Sequence, residues 1–140
     1  MKLEPSAFLA DPKLIQLLEK TCTVVDCNDC NADHVLFRQG DPPIGLYLIA
    51  KGGAEVSMNS EDGETILSVE VVPGSLLGLP AVIGNQPYSL TARAHHGSWV
   101  GFIRKEEFNA LVQTDAELMV KVLQVLANEV RSARIAITQL

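Results

Sequence analysis

Residues 35–56, VLFRQGDPPIGLYLIAKGGAEV, decide how the chain is read. Two short apolar runs, Val35-Leu36-Phe37 and Leu46 to Ile49, are separated by the dense turn QGDPP, and a third run, Ala54 to Met58, follows KGG. Pro42-Pro43 stiffens the turn and withholds two backbone donors, so this segment cannot be a central strand. Gly40 and Gly52 stand where the chain must reverse, and a residue without Cβ reaches positive φ at little cost. Apolar runs this short, bounded by turn residues, predict strands.

The same rhythm continues through Thr65 to Val72, Ser89 to Ala94 and Ser98 to Ile103, punctuated by NSEDGE, VPGS, GNQP and HHG. Many short strands at this spacing predict a sandwich or barrel rather than a parallel sheet. NSEDGE reads as a hairpin turn with Gly63 at the position needing positive φ. Val35, Phe37, Leu46, Leu48, Val56, Leu67 and Val69 are the expected inward positions, and Trp99, opening a strand of small and apolar residues, is expected in the core.

The flanks are helical. Leu14, Leu17 and Leu18 recur at helical spacing behind Asp11-Pro12, a cap followed by proline in the first turn. Lys105 to Phe108 begin a short helix, and Asp115 caps a long one. There Met119, Leu123, Leu126, Val130, Ala133, Ile137 and Leu140 follow at spacings of 4, 3, 4, 3, 4 and 3, a heptad seam that buries a narrow stripe against another helix. Leu118, Val122 and Val125 form a second stripe beside it. One stripe can then cover the domain while the other pairs with a second copy; Met119, Leu123, Leu126, Val130 and Ile137 are the expected dimer contacts. The expected organisation is one domain over 1–140: an N-terminal helical segment to residue 22, a β-roll over 23–103 and helices over 104–140.

Bulk properties exclude several function classes. The 140 residues carry a net charge of −6, so this chain alone offers no basic face for nucleic acid or an anionic membrane. Its apolar stretches are broken well before the roughly 18 residues of a membrane span. The N-terminus, MKLEPSAFLADPK, lacks a signal-peptide layout, and three cysteines without a secretion signal imply a reduced, cytoplasmic setting.

In order, the chain offers a helix, VLFRQGDPPIGLYLIAKGGAEV, the hairpin SEDGETILSVEVVPGSLLGL, WVGFIRKEEFNALV and a long helix. This resembles the cyclic-nucleotide-binding domain of the Crp/Fnr family of bacterial regulators over essentially the whole chain. The most specific pieces are Phe37-Arg38-Gln39-Gly40-Asp41, Tyr47-Leu48-Ile49, Lys51-Gly52 and Pro73-Gly74. The resemblance implies a mainly β, jelly-roll-like fold with flanking helices, and a long last helix that forms a dimer interface.

It also places a ligand cassette on Pro73–Ala94, PGSLLGLPAVIGNQPYSLTARA. In cyclic-nucleotide binders this loop carries Gly-Glu-Leu and, some ten residues later, Arg followed by a small hydroxyl residue and Ala. The Glu accepts from the ribose 2′-hydroxyl, and the Arg bonds the cyclic phosphate. The cassette-equivalent residues here are Gly74, Ser75, Leu76, Gly78, Leu79, Tyr88, Ser89 and Thr91. Matching on Pro73-Gly74 puts Ser75 at the acid position; counting back from TARA puts Gly78 there. Tyr88 stands at the Arg position, ahead of Ser89. No Asp or Glu occurs from Val71 through Lys105, and Arg93 is the only Lys or Arg between Lys51 and Arg104. Backbone N–H groups near Gly78-Leu79 and the hydroxyls of Ser89 and Thr91 could still meet a phosphate. A charged hydrogen bond is worth about 1.5–3 kcal/mol, so losing both weakens binding by a factor on the order of 100 to 10,000. GSLLG is closer to the Gly-Asp-hydrophobic-hydrophobic-Gly form of the Fnr-like branch, whose members use the roll to sense something else.

Cys22, Cys27 and Cys30, with His34, are candidate ligands for a zinc or iron–sulfur site. No fourth cysteine is present, and a β-turn rarely makes thiolates converge; the competing reading makes Cys22 a small core residue and Asn28-Asp29 a turn. His95-His96 face opposite sides of a strand end and cannot share one metal easily. A cupin's His-x-His with a following Glu is absent, as are a nucleophile elbow and a Ser-His-Asp order. The expectation is a non-enzymatic sensor domain without a cofactor and without tight cAMP binding. It would be either the sensor part of a longer DNA-binding regulator or a stand-alone domain that regulates a partner or has lost the ligand role, with a cyclic nucleotide or another small molecule as the candidate effector. A true cAMP or cGMP receptor and a metal or redox sensor are the alternatives.

Overall fold

The computed structural model describes the backbone at residues 5–25, 27 and 33–138, and side chains as far as residue 131. A 3-10 turn (Pro5–Phe8) and helix α1 (Pro12–Glu19) precede strands β1 (Thr23–Val25), β2 (His34–Phe37), β3 (Gly45–Lys51), β4 (Ala54–Asn59), β5 (Thr65–Val71) and β6 (Ser75–Leu77). Helix α2 (Leu79–Gly84), strands β7 (Thr91–Ala94) and β8 (Trp99–Arg104), and helices α3 (Lys105–Thr114) and α4 (Ala116–Thr138) follow. The strands form two antiparallel four-stranded sheets, ordered β1-β8-β3-β6 and β2-β7-β4-β5. This is the jelly-roll-like roll with flanking helices that the sequence predicts.

Local signals account for the element ends. Asp11 Oδ1 accepts from the Lys13 N–H at 2.7 Å, with Pro12 in the first turn of α1. Asp115 Oδ1 accepts from the Leu118 N–H at 3.0 Å and caps α4. The β4–β5 hairpin pairs Val56 with Val69 and turns at Gly63, whose φ is 85°.

Two apolar cores result. Phe37, Tyr47, Ile49, Val56, Leu67 and Val69 fill the space between the sheets. Outside the first sheet, Leu46, Leu48 and Leu76 meet Leu14 and Leu18 of α1, Phe108 of α3, and Leu118, Val122 and Val125 of α4. Strand β3 is therefore buried on both faces, which corrects the expectation for Leu46 and Leu48: they face the helices, and Tyr47 and Ile49 face the roll. A fully buried strand carries no polar alternation to reveal which face is inside. Val35 is half-buried beside a register shift between Val35 and Phe37. Trp99 is also corrected: it is 43% exposed at the start of β8. The strand expected from Ser89 begins at Thr91, and β1 and β6, three residues each, join the first sheet without a sequence signal.

Candidate functional site

Strand β6 pairs with β3 only through Ser75↔Ile49, Leu76↔Leu48 and Tyr47↔Leu77. Gly78 then turns the chain into α2 with a φ of 93°. A Cβ there would lie 3.1 Å from Tyr88 Cε1 and 3.2 Å from the Gly45 carbonyl oxygen, so both backbone and neighbours require glycine. Helix α2 ends at Asn85 in the left-handed region (φ 50°), and an irregular segment carries the chain to β7.

Tyr88 lies in that segment and is turned inward, 3% exposed. Its ring stacks on Phe37 with centroids 4.1 Å apart and planes 18° from parallel. Its hydroxyl accepts from the N–H groups of Ile44 and Gly45, each at 3.1 Å, and donates to the Gly45 carbonyl at 2.7 Å. Gly45 lies on β3 beyond the end of the β6 ladder, so the phenol supplies partners that a longer β6 would have supplied. The Tyr88 backbone is held too: Gly40 N donates to its carbonyl at 2.8 Å, and its N–H donates to the Asp41 carbonyl at 3.0 Å. Burial first, and the neighbouring Tyr88 second, push the Tyr47 phenol up to about 12.

Beside this ring lies a cavity of about 310 Å³. Phe37, Val56, Met58, Leu67 and Leu77 form its floor; Gly78, Pro80 and Ala81 form the cradle side. Tyr88, Ser89 and Leu90 make another wall, and Phe8 with Glu129 and Val130 of α4 lie at the remaining side. No Lys, Arg or His lines it among the described residues.

The cassette-equivalent residues divide accordingly. Gly78, Tyr88 and Ser89 reach the cavity. Leu76 and Leu79 are buried in the helix-side core instead. Gly74 makes the turn before β6, with a φ of 91°. Ser75 is fully buried in β6 with no hydrogen-bond partner for its Oγ. The Thr91 hydroxyl accepts from the Gln39 N–H at 2.9 Å. Arg93 stands on β7 opposite Glu55 and Val35, off the cavity wall.

Glu129 is the residue that sequence reasoning missed. It is 9% exposed, its Oε2 has no hydrogen-bond partner, and burial pushes its carboxyl up to about 8. A signal was present: Glu129 continues the spacing of Leu118, Val122 and Val125, placing one acid on the stripe that faces the domain.

On the adjoining stripe of α4, Leu123 and Val130 are half exposed, at 50% and 53%, while Met119 and Leu126 are partly covered by the helix-side core. The side chain of Ile137 lies outside the described residues. Leu118, Val122 and Val125 are buried against the domain, as the second stripe predicts.

Of the candidate metal ligands, Cys30 lies outside the described residues. Cys22 donates to the Glu19 carbonyl at 3.3 Å, and burial pushes its thiol up, away from thiolate. Cys27 is buried, with its sulfur 3.8 Å from the Val25 carbonyl. Among the described residues, no group of three His, Cys, Asp or Glu converges as a metal site. His95 is engaged by carboxylates, Nε2 at 2.7 Å from Glu70 and Nδ1 at 3.2 Å from Asp33, which hold its pKa up. No helix of the described residues is long and apolar enough to cross a membrane.

The molecule is thus a two-sheet roll with a helical cradle at one end and a long helix beside its cavity. Residues 28–115 match the family described as the cyclic nucleotide-binding domain, and the chain belongs to that family. The Patatin-like phospholipase domain-containing protein 7 of Rattus norvegicus is 33% identical over 101 residues, covering 67% of this chain and 7% of that protein. The Anaerobic regulatory protein of Pasteurella multocida (strain Pm70) is 31% identical over 99 residues, covering 71% of this chain and 36% of that protein. Among solved structures, the Thermus thermophilus Catabolite Activator Protein matches with a TM-score of 0.76 at 20% identity, over 97% of this chain and 62% of that chain. The sensor domain of the transcriptional regulator DNR from Pseudomonas aeruginosa also matches, with a TM-score of 0.66 at 19% identity, over 90% of this chain and 82% of that chain. The chain spans well under half the length of these curated relatives.

Proposed function

We propose that this chain is a non-enzymatic regulatory domain whose cassette no longer forms a tight cyclic-nucleotide site. One observation carries the reading: among the described residues the cavity wall has no basic side chain, and its one acid comes from α4. A cyclic phosphate would exchange water for a carbon-lined space, with no guanidinium to offset the desolvation. The buried phenol of Tyr88, bound to Gly45, occupies the expected arginine position. Stable burial of the half-exposed side of α4 comes from pairing with a second copy along Met119, Leu123, Leu126, Val130 and Ile137. Glu129 and Val130 belong at once to the cavity wall and to this helix, so cavity occupancy and dimer geometry are coupled. The domain works as part of a longer regulator or on a partner protein.

Calorimetric titration with cAMP and cGMP tests the reading. No heat of binding is expected at about 100 μM ligand, where roughly 5–6 kcal/mol of affinity begins to register. Saturable micromolar binding would refute it. The match of residues 28–115 to the family favours the second reading, a true cyclic-nucleotide receptor with a divergent cassette.

A further inference from the structure

The cavity wall is carbon except at a few points, and one of these is not used by the fold. The Tyr88 hydroxyl is committed to the β3 backbone. Glu129 is nine-tenths buried, lines the cavity and has an Oε2 without a hydrogen-bond partner. Its companions on the inner stripe of α4, Val122 and Val125, are apolar, and the facing wall from the N-terminal turn is Phe8. An acid left in that state is costly unless something else supplies its partner.

The chemistry of that partner follows from what the wall lacks. An anion would meet a carboxyl group and no cation. A neutral alcohol would form one hydrogen bond and give the carboxyl group no opposite charge against which to ionise. An ammonium group offers several donors and a positive charge against which the carboxyl group can ionise, and an attached hydrocarbon suits the floor of Phe37, Val56, Met58, Leu67 and Leu77. About 310 Å³ holds roughly ten water-sized groups, which sets the body at about eight carbons.

We propose that this cavity binds a cationic amphiphile, a primary amine whose ammonium pairs with Glu129 and whose apolar body fills the roll. The inference rests on the reading of the cavity as a non-nucleotide site. Burial keeps Glu129 protonated at neutral pH, its carboxyl being pushed up to about 8. Pairing with an ammonium favours the carboxylate, so binding at pH 7 expels about one proton per site to solvent.

The test is calorimetry on the intact chain at pH 7, in two buffers of different ionisation enthalpy, with octylamine, 1-octanol, octanoate and cAMP titrated separately. Octylamine is expected to bind at least tenfold more tightly than 1-octanol and to release about one proton, with octanol releasing none. Glu129→Gln, which keeps the side chain's size, is expected to lose at least tenfold in octylamine affinity and the proton release, with octanol binding unchanged. Octylamine binding no tighter than octanol, insensitivity to Glu129→Gln, or preference for octanoate would each overturn the assignment. Tight cAMP binding would instead overturn the non-nucleotide reading; silence from both cAMP and octylamine overturns only the ligand assignment.

Discussion

Replacing Tyr88 with Phe removes one oxygen and leaves the ring able to stack on Phe37. The hydroxyl accepts from the Ile44 and Gly45 N–H groups and donates to the Gly45 carbonyl. Gly45 is buried, and β6 ends too early to offer its backbone another partner. Stranding two buried backbone groups at about 1–3 kcal/mol each, with some relief from relaxation, gives an expected loss of about 2–4 kcal/mol. For a domain of this size that lowers Tm by roughly 6–14 °C. Urea and thermal unfolding of the wild type and Tyr88→Phe, followed by far-ultraviolet circular dichroism, measure it. A loss below about 0.5 kcal/mol would show that the phenol does not hold the β3 edge, and the reasoning that Tyr88 is committed to the fold would fail with it.

The remaining predictions concern the acid, the seam, the cassette and the surface charge. Glu129 titrates near 4.5 unfolded and about 8 folded; the folded chain therefore holds a proton that the unfolded chain has lost, and stability falls as pH rises from 4.5 through 8. The penalty at pH 7 is about 3 kcal/mol, so Glu129→Gln should match the wild type near pH 4 and exceed it progressively toward pH 8; parallel pH–stability curves would refute the burial argument. Leu126→Glu sets a charge in the α4 seam and should give a monomer by light scattering, with a persistent dimer counting against the seam. Tyr88→Arg combined with Ser75→Glu restores the nucleotide handles in side chains only; Ser75 is fully buried in β6, so the expected outcome is lower stability without cAMP affinity, and micromolar cAMP binding would show the cradle still nucleotide-shaped. With a net charge of −6, this chain alone should not retard DNA at physiological salt, and a specific, salt-sensitive gel shift would contradict that.

What was legible in the sequence was local. Turn residues at Gly40, Gly52 and Gly63 require positive φ wherever they occur, and all three have it, at 91°, 81° and 85°. Asp11 and Asp115 cap their helices because a carboxylate one turn from free N–H groups needs no distant partner. The two stripes of α4 follow from helical period alone, and the β4–β5 hairpin follows from alternation around its turn. The family resemblance rested on these same local pieces, and so did the expectation that Ser75 or Gly78 stands at the acid position and Tyr88 at the arginine position.

Tertiary structure decided the rest, because it depends on groups far apart in sequence. Leu46 and Leu48 cannot be told from Tyr47 and Ile49 in a continuous apolar run; which pair faces the roll depends on α1, α3 and α4 covering the other side of the sheet. Strands β1 and β6 exist because β8 and β3 offer them an edge, and three residues carry too little pattern to announce it. Trp99 stays 43% exposed at the first position of β8, paired with Lys51 beyond a register shift between Ile49 and Lys51. Tyr88 is a turn residue in the sequence and becomes a strand cap only when Gly45, 43 positions away, is brought to its hydroxyl. Glu129 reads as one more surface acid on a helix until Phe8 and the cradle close around it. A carboxyl group's energetics depend on what surrounds it in three dimensions, and linear order does not encode those surroundings.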